Sequence, residues 1–190
     1  TAKKGTSQLV RYDLKSRGGN AQAYAFRKAS DRNGRYSDSD GEYYHHARLT
    51  GLKPSTTYWF VIDSDGELSP ELHFTTAPAD DRPFSVIFGG DSRSGHFARA
   101  QVNLLMGALA EGDAELLAFA HGGDYVSSGK KWDQWSRWLS QHELAVAPSG
   151  KVLPIIPTRG NHDDGPLYDQ IFDNPGGPDK ENYFFTRLAP

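Results

Sequence analysis

The spacing of apolar positions changes once along this chain, near Thr76-Ala77-Pro78-Ala79-Asp80-Asp81-Arg82-Pro83. Before that segment no helical period is present. Short strand-like runs at Gln8–Tyr12, Gln22–Arg27, Glu42–Leu49, Thr57–Ile62 and Glu71–Thr75 are separated by Gly, Pro, Asn and Asp clusters. Many short strands between turn residues predict an all-β sandwich. After it, apolar runs at Phe84–Phe88, Leu116–Ala120 and Val152–Ile156 alternate with helix-like stretches. That alternation predicts βαβ units and a parallel sheet. Phe97–Ala110 reads as one helix, with Ala98, Val102, Leu105 and Leu109 at helical spacing. Lys131–Ala145 reads as another, with Trp132, Trp135 and Leu139 on one face, and these aromatics are expected to pack on the sheet. The expected domains are therefore a β-sandwich over 1–78 and an α/β domain over 83–190.

Within the first part, Leu52-Lys53-Pro54-Ser55-Thr56-Thr57-Tyr58 has the Leu-x-Pro-x-Thr-x-Tyr spacing of a tyrosine corner. In fibronectin type III-like sandwiches that tyrosine hydroxyl ties a loop back to a strand. The run Asp38-Ser39-Asp40-Gly41-Glu42 lacks the full spacing of a calcium loop and reads as a solvated hairpin turn. A sandwich of this type needs about 90–100 residues, so its first strands are expected to precede Thr1.

Composition narrows the chemistry. The chain has 190 residues, a net charge of −3 and scattered Lys and Arg, so no basic nucleic-acid surface is indicated. No apolar run approaches a membrane span. Cysteine is absent, which excludes disulfides and thiolate metal sites. Its absence fits the periplasmic or secreted location we expect, and equally a cytosolic one.

Three apolar runs of the second part end in the same way, in Gly90-Asp91-Ser92-Arg93, Gly123-Asp124-Tyr125 and Gly160-Asn161-His162-Asp163. Asp91 and Asp124 are 33 residues apart and Asp124 and Asn161 are 37 apart, each close to one βα unit. Successive parallel strands then deliver all three side chains to the C-terminal sheet edge, where α/β sheets bind ligands. Two carboxylates and an amide oxygen suit Mn, Fe, Zn, Mg or Ca. Two metals about 3.5–4 Å apart can clamp a phosphate and activate water. Each residue alone could merely cap the following helix; three in order favour a metal site.

These motifs resemble those of the calcineurin-like metallophosphoesterase superfamily, and most closely its purple acid phosphatase-like branch. His45-His46-Ala47-Arg48-Leu49-Thr50-Gly51-Leu52-Lys53-Pro54 and Phe74-Thr75-Thr76-Ala77-Pro78 resemble the fibronectin-like N-terminal domain of that branch. The resemblance implies a four-layer αββα catalytic domain with a dinuclear centre of Fe, Mn, Zn or similar ions. Asp91 would ligate the first metal, Asp124 would bridge, and Asn161 would ligate the second. His162 would be catalytic, as proton donor or transition-state stabiliser. The implied reaction is hydrolysis of a small phosphate monoester by a metal-bridging hydroxide. A phosphodiesterase or nucleotidase is the alternative within the fold, and a non-catalytic binding protein the alternative outside it.

Three positions depart from the pattern. Arg93 stands where many members have histidine, and could steer a substrate phosphate or pair with a carboxylate. Ser127 stands where purple acid phosphatases have a metal-binding tyrosine, so no purple absorption is expected. Tyr125 would point to the opposite strand face if the strand continued. The three histidines of the last two motifs would come from further polypeptide beyond Pro190, and the 190 residues alone are expected to be catalytically weak. Asp163 either orients His162 or fixes the turn. His121 is expected in the core or behind the site, His96 in a surface loop, and His45 and His46 on opposite faces of a strand.

Overall fold

A computed structural model describes Thr1 and residues 3–174. The last part of the expected second domain, 175–190, lies outside the described residues. The first part is antiparallel. Strand β1 (Gln8–Asp13) pairs with β2 (Phe26–Ala29) on one side and β5 (Thr57–Ser64) on the other. The far edge of β5 carries β7 (Leu72–Thr75) and the two-residue β6 (Glu67–Leu68). A separate hairpin joins β3 (Arg32–Arg35) to β4 (Tyr43–His46), so the second sheet of this part has two strands among the described residues.

Aromatic residues cover one face of the larger sheet. Tyr12 stacks on Phe26 at 5.2 Å, and Tyr58 stacks on Phe74 at 6.0 Å. The tyrosine corner is present: the Lys53 amide donates to the Tyr58 hydroxyl at 2.9 Å, and Tyr58 is buried. The strand expected over Gln22–Arg27 starts later. Residues Ala21–Ala23 form a 3-10 turn capped by Asn20, because the Asn20 side chain accepts the Gln22 amide at 3.2 Å. Strand β3, Arg-Asn-Gly-Arg, has no apolar alternation to announce it. Asp38–Glu42 is the turn of the β3–β4 hairpin, as the sequence predicts. His45 turns to Asn33 and His46 to the Gln170 carbonyl, on opposite sides of the strand.

The second part is a parallel sheet. Its strands are β8 (Ser85–Gly89), β9 (Leu116–His121) and β10 (Ile155–Pro157), in the order β10-β9-β8. Helices α1 (His96–Gly112) and α2 (Trp132–His142) make the crossovers, and a short α3 (Leu167–Ile171) follows. Helix α2 is shorter than the sequence suggests, since Glu143–Ala145 tightens into a 3-10 turn. Two apolar clusters hold the layers together. Met106, Ala110, Leu116, Phe119, Ala145 and Leu153 form one, with Ile87 and Ile155 against it. Tyr125, Val126, Trp135, Trp138, Leu167 and Tyr168 form the other. The tryptophans of α2 are thus core residues: Trp135 and Trp138 are buried, and Trp132 and Leu139 pack partly buried against the cluster. Trp132 also stacks on Tyr36 of the first part at 4.0 Å.

Helix α1 corrects its sequence reading. Ala98, Val102, Leu105 and Leu109 are exposed, and the buried face is Arg99, Asn103, Met106, Gly107 and Ala110. The helix lies so close to the 144–146 segment that a Cβ on Gly107 would meet the Val146 carbonyl at 3.1 Å. A large side chain does not fit there. Polar members of this face bond across it: the Asn103 amide donates to the Gln141 carbonyl at 2.8 Å and Arg99 Nε to the Gln141 side chain at 2.6 Å. On the other face of the sheet, Val86 and Phe88 are exposed, Phe88 at 80 %. No helix among the described residues is long and apolar enough to cross a membrane.

Candidate metal and phosphoester centre

All three motifs lie at the C-terminal ends of their strands. Strand β8 ends at Gly89, two residues before Asp91; β9 ends three before Asp124; β10 ends four before Asn161. The strand ends continue to pair as loops. The Gly122 amide donates to Gly89 at 2.7 Å, and the Asp91 amide donates to Gly123 at 2.9 Å. Both aspartates have left-handed backbones, Asp91 at φ 51° and Asp124 at φ 57°. Such conformations disfavour a residue with a Cβ and cluster at functional sites.

The carboxylates meet through one cation. Arg93 Nη1 lies 3.1 Å from Asp91 Oδ1 and also forms an ion pair with Asp124 Oδ2. Asp91 is largely exposed, whereas Asp124 and Arg93 are partly buried. Of the two readings of Arg93, the structure has the carboxylate pairing. The other Asp124 oxygen accepts the His162 backbone N–H at 3.0 Å. Asn161 is exposed on the turn that supplies this N–H. Asp91, Asp124 and the Asn161-His162 turn are therefore brought together.

Asp163 builds that junction. It is fully buried, and its two oxygens accept the amides of Asp124 at 2.8 Å, Tyr125 at 3.0 Å and Gly160 at 2.9 Å. Burial pushes its carboxyl upward, and the backbone donors pull it back toward the ionised form. Asp163 thus fixes the turn rather than orienting the His162 ring. The two turns touch so closely that a Cβ on Gly160 would collide with the Asp124 carboxylate and amide. Only glycine allows the Asp124 loop to sit there.

The His162 ring is oriented elsewhere. Its Nδ1 lies 3.0 Å from the Ser127 carbonyl. A carbonyl can only accept, so Nδ1 carries the proton and Nε2 is the nitrogen left for a substrate. Behind the site, His121 is 2 % exposed. Its Nδ1 accepts the Gly123 amide at 3.1 Å, and its Nε2 lies 2.9 Å from Ser92 Oγ. Burial, then the nearby His142, holds His121 down to about 4, so it is neutral. Tyr125 does not sit on a continued strand, because β9 ends at His121 and Asp124 breaks the extended path. It is buried against His121, ring to ring at 3.8 Å. His96 is exposed, as the sequence suggests, but it opens α1 instead of sitting in a loop.

Sequence reasoning underrates Asp163 and passes over Ser92. Ser92 accepts Trp138 Nε1–H at 2.9 Å and so ties the first motif to α2. Both could have been suspected from their places within the motifs.

Among the described residues, no three His, Cys, Asp or Glu side chains are grouped as a metal site requires. The donors present fit the oxygen part of such a site. Two carboxylates already share one positive group, and hard cations take carboxylate and amide oxygens.

Residues 1–76 match the purple acid phosphatase N-terminal domain, and residues 72–189 match the calcineurin-like phosphoesterase family. A solved structure described as "Structure of PhoD" is 14 % identical, with a TM-score of 0.49 over 85 % of this chain. The chain spans 33 % of that protein's length. With the family model matching well over half of its residues, this chain belongs to the calcineurin-like phosphoesterases.

Proposed function

We propose that this chain carries part of the centre of a metal-dependent phosphomonoesterase acting on a small phosphate ester, with Asp91, Asp124 and Asn161 as metal ligands. One observation carries the reading: two aspartates with left-handed backbones, from adjacent parallel strands, converge on a single cation. Two bound metal ions would neutralise phosphate charge and lower the pKa of water. Asp124 is held for a bridging role by the His162 amide on one oxygen, leaving the other to a cation. His162, its Nδ1–H committed to the Ser127 carbonyl, leaves Nε2 for the substrate, and a ring protonated there as well would donate to the departing alcohol. Arg93 sits within reach of both carboxylates and can turn its planar fork to a phosphate oxygen. Ser127, in place of a tyrosine, gives an iron-loaded protein without a purple band.

Titration with Mn²⁺ and Zn²⁺, followed by hydrolysis of an aryl phosphate and of the corresponding diester, tests the reading. Two metals per chain in the full-length polypeptide and faster monoester cleavage are expected, with Asp124→Asn removing both. Unchanged metal binding in Asp124→Asn would falsify the site. Faster diester cleavage would favour a phosphodiesterase.

A further inference from the structure

We propose that a cleft between the N-terminal ends of α1 and α2 is an anion subsite that takes a second phosphate group of the substrate. The cleft holds about 180 Å³ and is lined by Arg93, His96, Arg99, Ser127 and Arg137 among others. Arg93 also reaches the Asp91–Asp124 pair, so the cleft is one side chain from the phosphoester centre. Ser127 is likewise the residue whose carbonyl holds His162.

The charge in the cleft is not neutralised by the fold. Arg93 is paired, but Arg137 is exposed and makes no ion pair or hydrogen bond among the described residues. Arg99 is 8 % exposed. Its Nε donates to Gln141 at 2.6 Å and its Nη1 to the Ser92 carbonyl at 2.7 Å, while its Nη2 is buried with no acceptor. A buried charged donor without a partner is costly, and an entering oxyanion supplies one. Burial, and then the charge of Arg137, pulls the Arg99 guanidinium below its usual range. Two guanidiniums facing one space repel each other until an anion stands between them. The only carboxylate in the lining is Asp133. Helix α1 adds the positive end of its dipole at His96, the first residue of the helix.

Exposed Arg137 and buried Arg99 both line the cleft. A phosphate fits the planar forks of both. The substrate class that follows is a phosphate monoester with a second phosphate nearby, such as a bisphosphate. This inference rests on Asp91 and Asp124 being the hydrolytic centre, so its test is arranged in two separable arms.

The first arm needs neither metal nor hydrolysis. Binding of inorganic phosphate to the chelator-treated protein is measured by isothermal titration at low ionic strength. Saturable binding is expected, weakened about tenfold in Arg137→Gln and unchanged in Arg27→Gln, an exposed control on β2. No saturable binding, or equal affinity in Arg137→Gln, overturns the subsite. In the second arm, the metal content of the loaded protein is measured first, and 1,3-propanediol bisphosphate is then compared with inorganic phosphate. Tighter binding of the bisphosphate is expected, because two linked groups bind with a high effective concentration, and Arg137→Gln should erase the advantage. A bisphosphate that binds the metal-loaded protein no tighter than phosphate overturns the substrate role in favour of a site for free phosphate. Failure to load metal refutes the hydrolytic reading, while the first arm still decides the cleft.

Discussion

The smallest unit that explains the site is the side chain of Asp163. It accepts three backbone amides from two different turns while fully buried. Replacing it by alanine strands those donors in the interior. Asp163→Ala is expected to lower stability by roughly 3 kcal/mol or more, read from urea denaturation; a loss below about 1 kcal/mol would show that the bonds are not formed in solution. Two buried histidines set a pH dependence. Burial lowers His121 and His142 to about 4, so both are neutral in the fold. The unfolded chain takes up their protons below about 6.5. Their contribution is therefore full above pH 6.5 and is lost as pH falls toward 4. The unfolding free energy from urea titration should drop across that window, by on the order of 3 kcal/mol for His121, and His142→Gln should flatten the curve. The placement of Asp91, Asp124 and Asn161 beyond the ends of adjacent parallel strands was legible because each follows a short apolar run and a glycine. The role of Asp163 was not, because its partners are backbone groups brought near only by folding.

At the scale of elements, α1 separates what a sequence shows from what a fold uses. Its apolar stripe is regular, but the face that packs is shifted and contains Arg99, Asn103 and Gly107. Close approach to the 144–146 segment demands a small residue, and Arg99 Nε and the Asn103 amide donate to Gln141. Met106→Ala is expected to destabilise by about 2–5 kcal/mol, whereas Leu105→Ala should stay within roughly 0.5 kcal/mol. The reverse order, measured by thermal or chemical unfolding, would restore the face suggested by apolar spacing. The three parallel strands were readable because buried strands are short apolar runs. Strand β3 was not, since Arg32-Asn33-Gly34-Arg35 gains its conformation from pairing with β4. The tyrosine corner was visible because its motif encodes a local hydrogen bond.

On the scale of the whole molecule, the β3–β4 hairpin joins the two parts. Arg32 Nη2 donates to the Asp169 carbonyl at 2.6 Å, and the Ser37 amide donates to the Gln170 side chain at 2.9 Å. Arg48 pairs with Asp173 at 2.5 Å, and Tyr36 stacks on Trp132. Strand β7 adds main-chain bonds, the His73 amide to Gly150 at 2.9 Å and the Val152 amide to His73 at 2.8 Å. The two parts should unfold in one transition. Arg32→Met is expected to lower the midpoint reported by near-ultraviolet and far-ultraviolet signals alike; a first part that melts separately in the wild type would refute the coupling. The carboxylate of Asp163 has a further consequence at this scale. By holding Asp124 against Gly160, it closes the intervening chain into a ring whose two ends coincide. Helix α2, with Arg137, lies inside that ring. A closed segment can lengthen cheaply, at about 0.6 kcal/mol per doubling, provided its ends stay clasped. On the proposed reading, the part of the cleft wall that α2 supplies can be rebuilt or enlarged without moving Asp91 and Asp124, while Arg93 belongs to both.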